Sequence, residues 1–215
     1  MGVHDGFSMK AQIPNEFNCI PYQPNDIYSL FMDAPFPWWI SGGWALDLFL
    51  QEQTRKHFDI DVSIARRDQL AAQVFLSSWD FWSVKRDESG EIVLSQWGRN
   101  EMLGNEYPGV WGREDAETPW RFEFFFQDVD NDIWQFRYCD AIQHPLSGIG
   151  YITPDGIPYL RPEIALLTKA ARLREVDIND FLRVLPALNS EQKTKLIDDI
   201  YKMDAQHPWL EILVR

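Results

Sequence analysis

The chain has 215 residues, 45% of them hydrophobic, and carries a formal net charge of −13 at pH 7, with a pI of about 4.6. So acidic a balance argues against long nucleic acids, whose binding rests on Lys and Arg neutralising phosphates. The length allows one domain or two small ones with ample core, and no apolar run is long enough to span a bilayer. MGVHDGFS at the N-terminus lacks the basic and apolar regions of a signal peptide and the Ser or Thr of a myristoylation pattern. Cys19 and Cys139 are isolated and the four histidines are scattered, so we expect reduced thiols, no zinc pattern and a cytoplasmic protein.

In chain order, the first strong signal is the Ser41-Gly42-Gly43 turn with a helix running from Trp44 to Leu50. Glycines let the backbone approach a ligand closely, and free amides at a helix start suit a phosphate. Residues 58 to 64 then alternate: Phe58, Ile60, Val62 and Ile64 are apolar, whereas Asp59, Asp61 and Ser63 are polar. In a strand this buries one set and places both carboxylates side by side on the other face. Two such carboxylates repel unless something positive sits between them, and a divalent metal is the usual answer. Arg55 is a phosphate contact by charge or a partner for an acid such as Asp47, and His57 reads as a brace for the loop.

A helix near 67 to 77 follows, then strands at 80 to 86, 91 to 96, 121 to 126 and 133 to 138. Residues 98 to 119, rich in Gly, Pro and acids, read as a long loop near the site. In RFEFFF, Phe122, Phe124 and Phe126 are core candidates, and Glu123 faces the other way with Arg121 and Phe125. A buried glutamate there needs a metal or a basic partner. Asp128, Asp130 and Asp132 read as a solvated turn. Helices are expected at 162 to 174, with Pro162 and Glu163 at its start, at 178 to 187 and at 190 to 203. Of ten tryptophans, Trp38, Trp39 and Trp44 lie beside the turn, and Trp97, Trp111 and Trp120 around the loop. Most are core candidates, and some could stack on a base or a sugar.

Ser41-Gly42-Gly43 followed by the run from Thr54 to Asp61 resembles the signature of the polymerase-β-like nucleotidyltransferase superfamily. Within it, the chain is most similar to the small aminoglycoside and lincosamide adenylyltransferases. That similarity also takes in residues 121 to 126, residues 156 to 174, Asp177 and Asp180. The resemblance implies an α+β fold, with a nucleotidyltransferase mixed sheet and flanking helices in residues 1 to 150 and a helical region in 151 to 215. It implies Asp59, Asp61 and Glu123 as catalytic carboxylates holding Mg²⁺. Ser41, Gly42, Gly43, Arg55 and Lys169 would contact the phosphates of ATP, the nucleotide donor. The partners expected are a nucleoside triphosphate and a small cationic, hydroxyl-bearing acceptor, provided that some of the surplus acid lines the cleft.

The expected activity is therefore transfer of AMP from ATP to a hydroxyl of a small molecule such as an aminoglycoside or lincosamide. Two other readings stand beside it. One is a catalytically silent nucleotide-binding or antitoxin-like partner protein of the same fold, and the other a metal-dependent glycosyltransferase. The oligomeric state is left open by the sequence.

Overall fold

The alternating strand RFEFFF does divide the molecule in two. In the computed structural model, which describes residues 12–15, 17–86 and 91–214, it lies near the middle of a ten-stranded mixed sheet. The expectation drawn from MGVHDGFS lies outside the described residues. The elements in order are α1 (Pro24–Phe31), β1 (Trp38–Ile40), α2 (Gly42–Leu50), β2 (Asp61–Ala65), α3 (Gln69–Phe75), β3 (Asp80–Arg86), β4 (Ile92–Gln96) and β5 (Gly109–Arg113). There follow β6 (Phe122–Asp130), β7 (Ile133–Gln135), β8 (Gln143–Pro145), β9 (Gly150–Ile152) and β10 (Pro158–Leu160), then α4 (Pro162–Ala170), α5 (Glu175–Val184), α6 (Ser190–Met203) and α7 (Pro208–Leu213).

The sheet runs β4-β3-β5-β6-β2-β1-β10-β9, with β7 on β6 and β8 on β7. β2 pairs with β6, and β1 with β10, in parallel; the other pairings are antiparallel. This is the expected α+β class. Strands β9 and β10 carry the sheet past residue 150, and helices dominate from Pro162 onward.

One face of β6 is an aromatic core. Phe122, Phe124 and Phe126 are fully buried, and Phe31 of α1 meets Phe122 and Phe124 edge-on at 5.5 and 5.6 Å between ring centroids. Phe75 of α3 stacks on Phe31 at 6.0 Å, and Phe81 on Phe124 at 5.7 Å. Such ring pairs add to the stabilisation from burial alone. The opposite face of β6 carries Glu123, Phe125 and Gln127, only partly sequestered except for Gln127, and looks toward α4. The two-residue period of the strand thus separates core from site.

Several expectations need correction. The strand expected at 58 to 64 begins only at Asp61, so Asp59 sits in the approach to it; Ile60, Val62 and Ile64 are fully buried, but Phe58 is 38% exposed. Ser63, expected beside the carboxylates, is also buried and accepts a hydrogen bond from Gln127 Nε2 at 2.9 Å. The loop expected at 98 to 119 contains β5, an inner strand between β3 and β6. Its glycines hide it, yet they are required: a Cβ on Gly109 would collide with the Phe124 carbonyl of β6. The polar stretch with Asp128 and Asp130 continues β6 and turns at Asn131 and Asp132, both at positive φ.

Helix α2 ends at Gln51, which takes a left-handed conformation (φ 57°) and donates its N–H to the carbonyls of Asp47 and Leu48. An exposed side chain gains nothing there to offset the strain. Gln51→Gly is expected to raise stability by about 0.5–1 kcal/mol, seen as a higher urea midpoint at unchanged slope. An unchanged or lower midpoint would show that the turn carries no strain.

Candidate active site

A cavity of about 410 Å³ opens between the Glu123 face of β6, the start of α2 and the end of α4. Its lining includes Ser41, Gly42, Gly43, Arg55, Asp59, Asp61, Glu123 and Lys169, so the residues expected to hold metal and phosphate border one space. Arg172, Arg174, Phe58 and Phe125 also line it.

The carboxylates are brought together by register. In the parallel pair β2–β6, Asp61 lies opposite Glu123, and Glu123 N–H donates to the Ile60 carbonyl at 3.0 Å. Burial and the neighbouring Asp59 charge push the Asp61 carboxyl up to about 7. Burial together with Asp61 and Asp59 holds Glu123 well above the usual carboxylate range. Two carboxyls that resist ionising side by side are what a cation would relieve. Among the described residues, no three His, Cys, Asp or Glu side chains converge into a ready-made metal cage. Mg²⁺ does not need one: it keeps several waters and is commonly held by one or two carboxylates together with substrate phosphates. The all-oxygen donor set fits that ion.

The turn before α2 is shaped by the same carboxylates. Ser41 N–H donates to the Asp61 carbonyl at 2.9 Å, tying the turn to β2. Gly42 adopts φ 63°, and a Cβ there would collide with the Asp61 carboxylate. A Cβ on Gly43 would meet Arg55 and the His57 ring. Close approach therefore demands both glycines, and at Gly42 the positive φ adds to that demand. Ser41 Oγ is buried without a hydrogen-bond partner, and the first amides of the nine-residue α2 have no helical acceptor. The cavity thus has an unsatisfied hydroxyl and a helix start beside its acids, the donor pattern that an anion takes.

His57 is buried, and its Nε2 lies 2.6 Å from Asp47 Oδ2. Its ring stacks on Trp44 at 4.3 Å, and Thr54 Oγ1 donates to Asp47 Oδ1 at 2.6 Å. Burial pushes the imidazole below its ordinary value. His57 braces the loop onto α2, as its sequence position suggested.

Lys169 and Arg55 are already engaged. Lys169 Nζ lies 3.1 Å from Asp177 and 2.9 Å from Asp180, with the lysine only 5% exposed. Arg55 donates to both oxygens of Asp180 at 3.0 and 3.1 Å; its partner is Asp180, not Asp47. Arg174 donates to Asp177 at 2.8 and 3.0 Å. Asp177 and Asp180 of α5 thus bind α4 and the signature loop into one wall. The proviso for a cationic acceptor is not met by this lining: its only carboxylates among the described residues are Asp59, Asp61 and Glu123.

The fold that carries this cavity is that of the polymerase-β-like nucleotidyltransferases. Residues 25–96 match the model of the aminoglycoside-2''-adenylyltransferase family. The antibiotic-resistance factor ANT(2'')-Ia shares the fold. Its solution structure aligns at 15% identity over 87% of this chain and 92% of its own, with a TM-score of 0.53. Its crystal structure with adenylyl-2''-tobramycin aligns at 13% identity over 82% and 94%, with a TM-score of 0.52. The lincosamide antibiotic adenylyltransferase LnuA, lincomycin-bound, aligns at 16% identity over 78% and 97%, with a TM-score of 0.48. No curated protein matches the chain by sequence. The partial family match and the shared fold agree with the resemblance read from the signature.

Removing Lys169 takes away two buried charge-assisted contacts while Arg174 and Arg55 stay on Asp177 and Asp180, so Lys169→Met is expected to cost about 2 kcal/mol in chemical unfolding. The wall also has a pH signature. Burial alone would raise Asp177 and Asp180, but the hydrogen bonds and charges of Arg174 and Lys169 hold Asp177 low, and those of Arg55 and Lys169 hold Asp180 low. A carboxyl lower in the folded than in the unfolded state stabilises above its unfolded value and loses that contribution as pH falls through the folded one. Stability is therefore expected to drop as pH falls below about 4, with a weaker pH dependence in Lys169→Met. Equal acid slopes in the two proteins would refute the assignment.

Proposed function

We propose that the chain is an adenylyltransferase that moves AMP from ATP to a hydroxyl of a small molecule, with Asp59, Asp61 and Glu123 holding Mg²⁺. The observation that carries this reading is the juxtaposition of a carboxylate pair, raised by burial and by neighbouring carboxylate charge, with an anion-ready turn across one cavity. A carboxylate cluster alone calls for a cation and a helix start alone for a phosphate; the two together call for a metal–nucleotide complex.

In this reading Ser41 Oγ and the amides of Gly42 and Gly43 hold the phosphates, and the turn's bond to the Asp61 carbonyl fixes their distance from the acids. The metal, when bound, supplies Lewis-acid stabilisation of the phosphoryl charge and lowers the pKa of the acceptor hydroxyl. The acceptor oxygen forms a bond to the α-phosphorus while the bond from that phosphorus to the bridging oxygen breaks. Pyrophosphate leaves with the electron pair. In this reading Glu123, which lines the cavity, also takes the hydroxyl's proton. Phe58 and Phe125 offer apolar faces at the cavity for a sugar-like acceptor. ANT(2'')-Ia carries an adenylyl-tobramycin product in its crystal structure, which supports aminoglycosides among the first acceptors to test. Lincosamides join them on the sequence resemblance. Antibiotic resistance would be the biological outcome.

Calorimetric titration of ATP with and without Mg²⁺, followed by an acceptor screen for pyrophosphate release, tests this. Metal-dependent binding is expected in the wild type, and Asp61→Asn should lower transfer at least about a hundredfold. Release of a nucleoside diphosphate instead would favour a glycosyltransferase. Nucleotide binding without turnover on any acceptor, together with a partner co-purifying at fixed stoichiometry, would favour the silent-partner reading. Transfer that survives Asp61→Asn would end the present one.

A further inference from the structure

Four cations line the cavity, and three of them are ion-paired within the wall. Arg55, Lys169 and Arg174 each lie 2.8 to 3.1 Å from Asp177 or Asp180, and Arg183 adds a longer contact to Asp180 at 3.4 Å. Arg172 is the fourth. It is exposed, and no carboxylate pairs with it among the described residues. Its guanidinium rests over the Phe125 ring at 5.4 Å, and Phe125 is two residues along β6 from Glu123 on the same face. The backbone sets this apart from its neighbour. Leu173 takes φ 50° and donates its N–H to the Lys169 carbonyl at 2.9 Å, so the chain reverses between Arg172 and Arg174. Arg174 turns back onto Asp177, while Arg172 reaches over the cavity wall. A left-handed leucine is an uncommon conformation, and such strain concentrates at functional positions.

The geometry points to Arg172, rather than Lys169, as the side chain that binds the nucleotide's triphosphate. The inference rests on the nucleotidyltransferase reading. An arginine on an aromatic ring is held by a weak, non-directional attraction that a bidentate phosphate contact readily exceeds. Lys169, only 5% exposed, would have to break two buried ion pairs, with Asp177 and Asp180, to make the same contact. Lys169 is then a positioning residue that acts through Asp177 and Asp180. The electrostatics agree: Arg172 is the foremost cation opposing the burial and carboxylate repulsion that raise Asp61 and Glu123.

The test is calorimetric titration of Mg²⁺ with a non-hydrolysable ATP analogue on wild type, Arg172→Ala, Arg172→Lys and Lys169→Met, each with a thermal melt. Arg172→Ala is expected to weaken binding about 10- to 100-fold with an unchanged melting temperature, and Arg172→Lys to recover part of the loss. Lys169→Met should lower the melting temperature and, measured well below it, weaken binding less than Arg172→Ala does. Wild-type affinity in Arg172→Ala would overturn the assignment. So would a loss in Lys169→Met larger than that in Arg172→Ala at an unchanged melting temperature. No analogue binding by the wild type would overturn the nucleotidyltransferase reading itself, and the assignment with it.

Discussion

The parallel pairing of β2 with β6 is the constraint on which the rest of the molecule turns. It sets Asp61 against Glu123 across adjacent strands, with Asp59 close by, and so builds unfavourable charge into the middle of the sheet. A slip of one residue would relieve the repulsion, but it would also carry Phe122, Phe124 and Phe126 out of the core. Register is therefore held by aromatic packing on one face of β6 while the other face bears the electrostatic cost. A fold under selection for stability alone has no reason to keep that arrangement. A fold that binds a cation and a polyanion there does.

Glycines at 42 and 43 belong to the same constraint. They let the turn before α2 press against the carboxylate strand, so the amides of α2 and the acids of β2 face one cavity. Around this sits a second set of charges in which every acid is partnered. Asp47 engages His57 and Thr54, and Asp177 and Asp180 engage Lys169, Arg55 and Arg174. Fixed pairs of this kind make a rigid wall, and rigidity matters when a phosphorus must be held in line for attack. The basic residues of a signature thus split into those that build the site and those left free to act in it.

Much of this was legible in the sequence because it depends on local pattern. The two-residue period placed Ile60, Val62, Ile64 and the phenylalanines of β6 in the core, and the helix expected at 190 to 203 stands as α6, Ser190–Met203. What failed depends on partners distant in the chain. β5 is glycine-rich because β6 presses against it, and no local signal reports that pressure. The strand start moved from Phe58 to Asp61 because Asp59 precedes the pairing with β6. Lys169 looked free because the acids that hold it lie on the next helix, eight and eleven residues on. Arg172 drew no attention in a run already rich in basic residues, and only the left-handed turn at Leu173 separates it from Arg174. Spacing in the chain cannot show which charge is already spoken for.

The same accounting bears on the net charge of −13. The described lining holds Asp59, Asp61 and Glu123 against Arg55, Lys169, Arg172 and Arg174, so the acid surplus is not concentrated at the cavity. Attraction for a cationic acceptor must then come from the very carboxylates that would hold the metal, or from the nucleotide itself. Without nucleotide, Arg172 at the wall would repel a polycation. Once its charge is matched by phosphate, that repulsion is gone and negative charge is added beside it. On the proposed reading, nucleotide would bind first and acceptor second, because Arg172 is the one arginine of the described lining that no carboxylate pairs with.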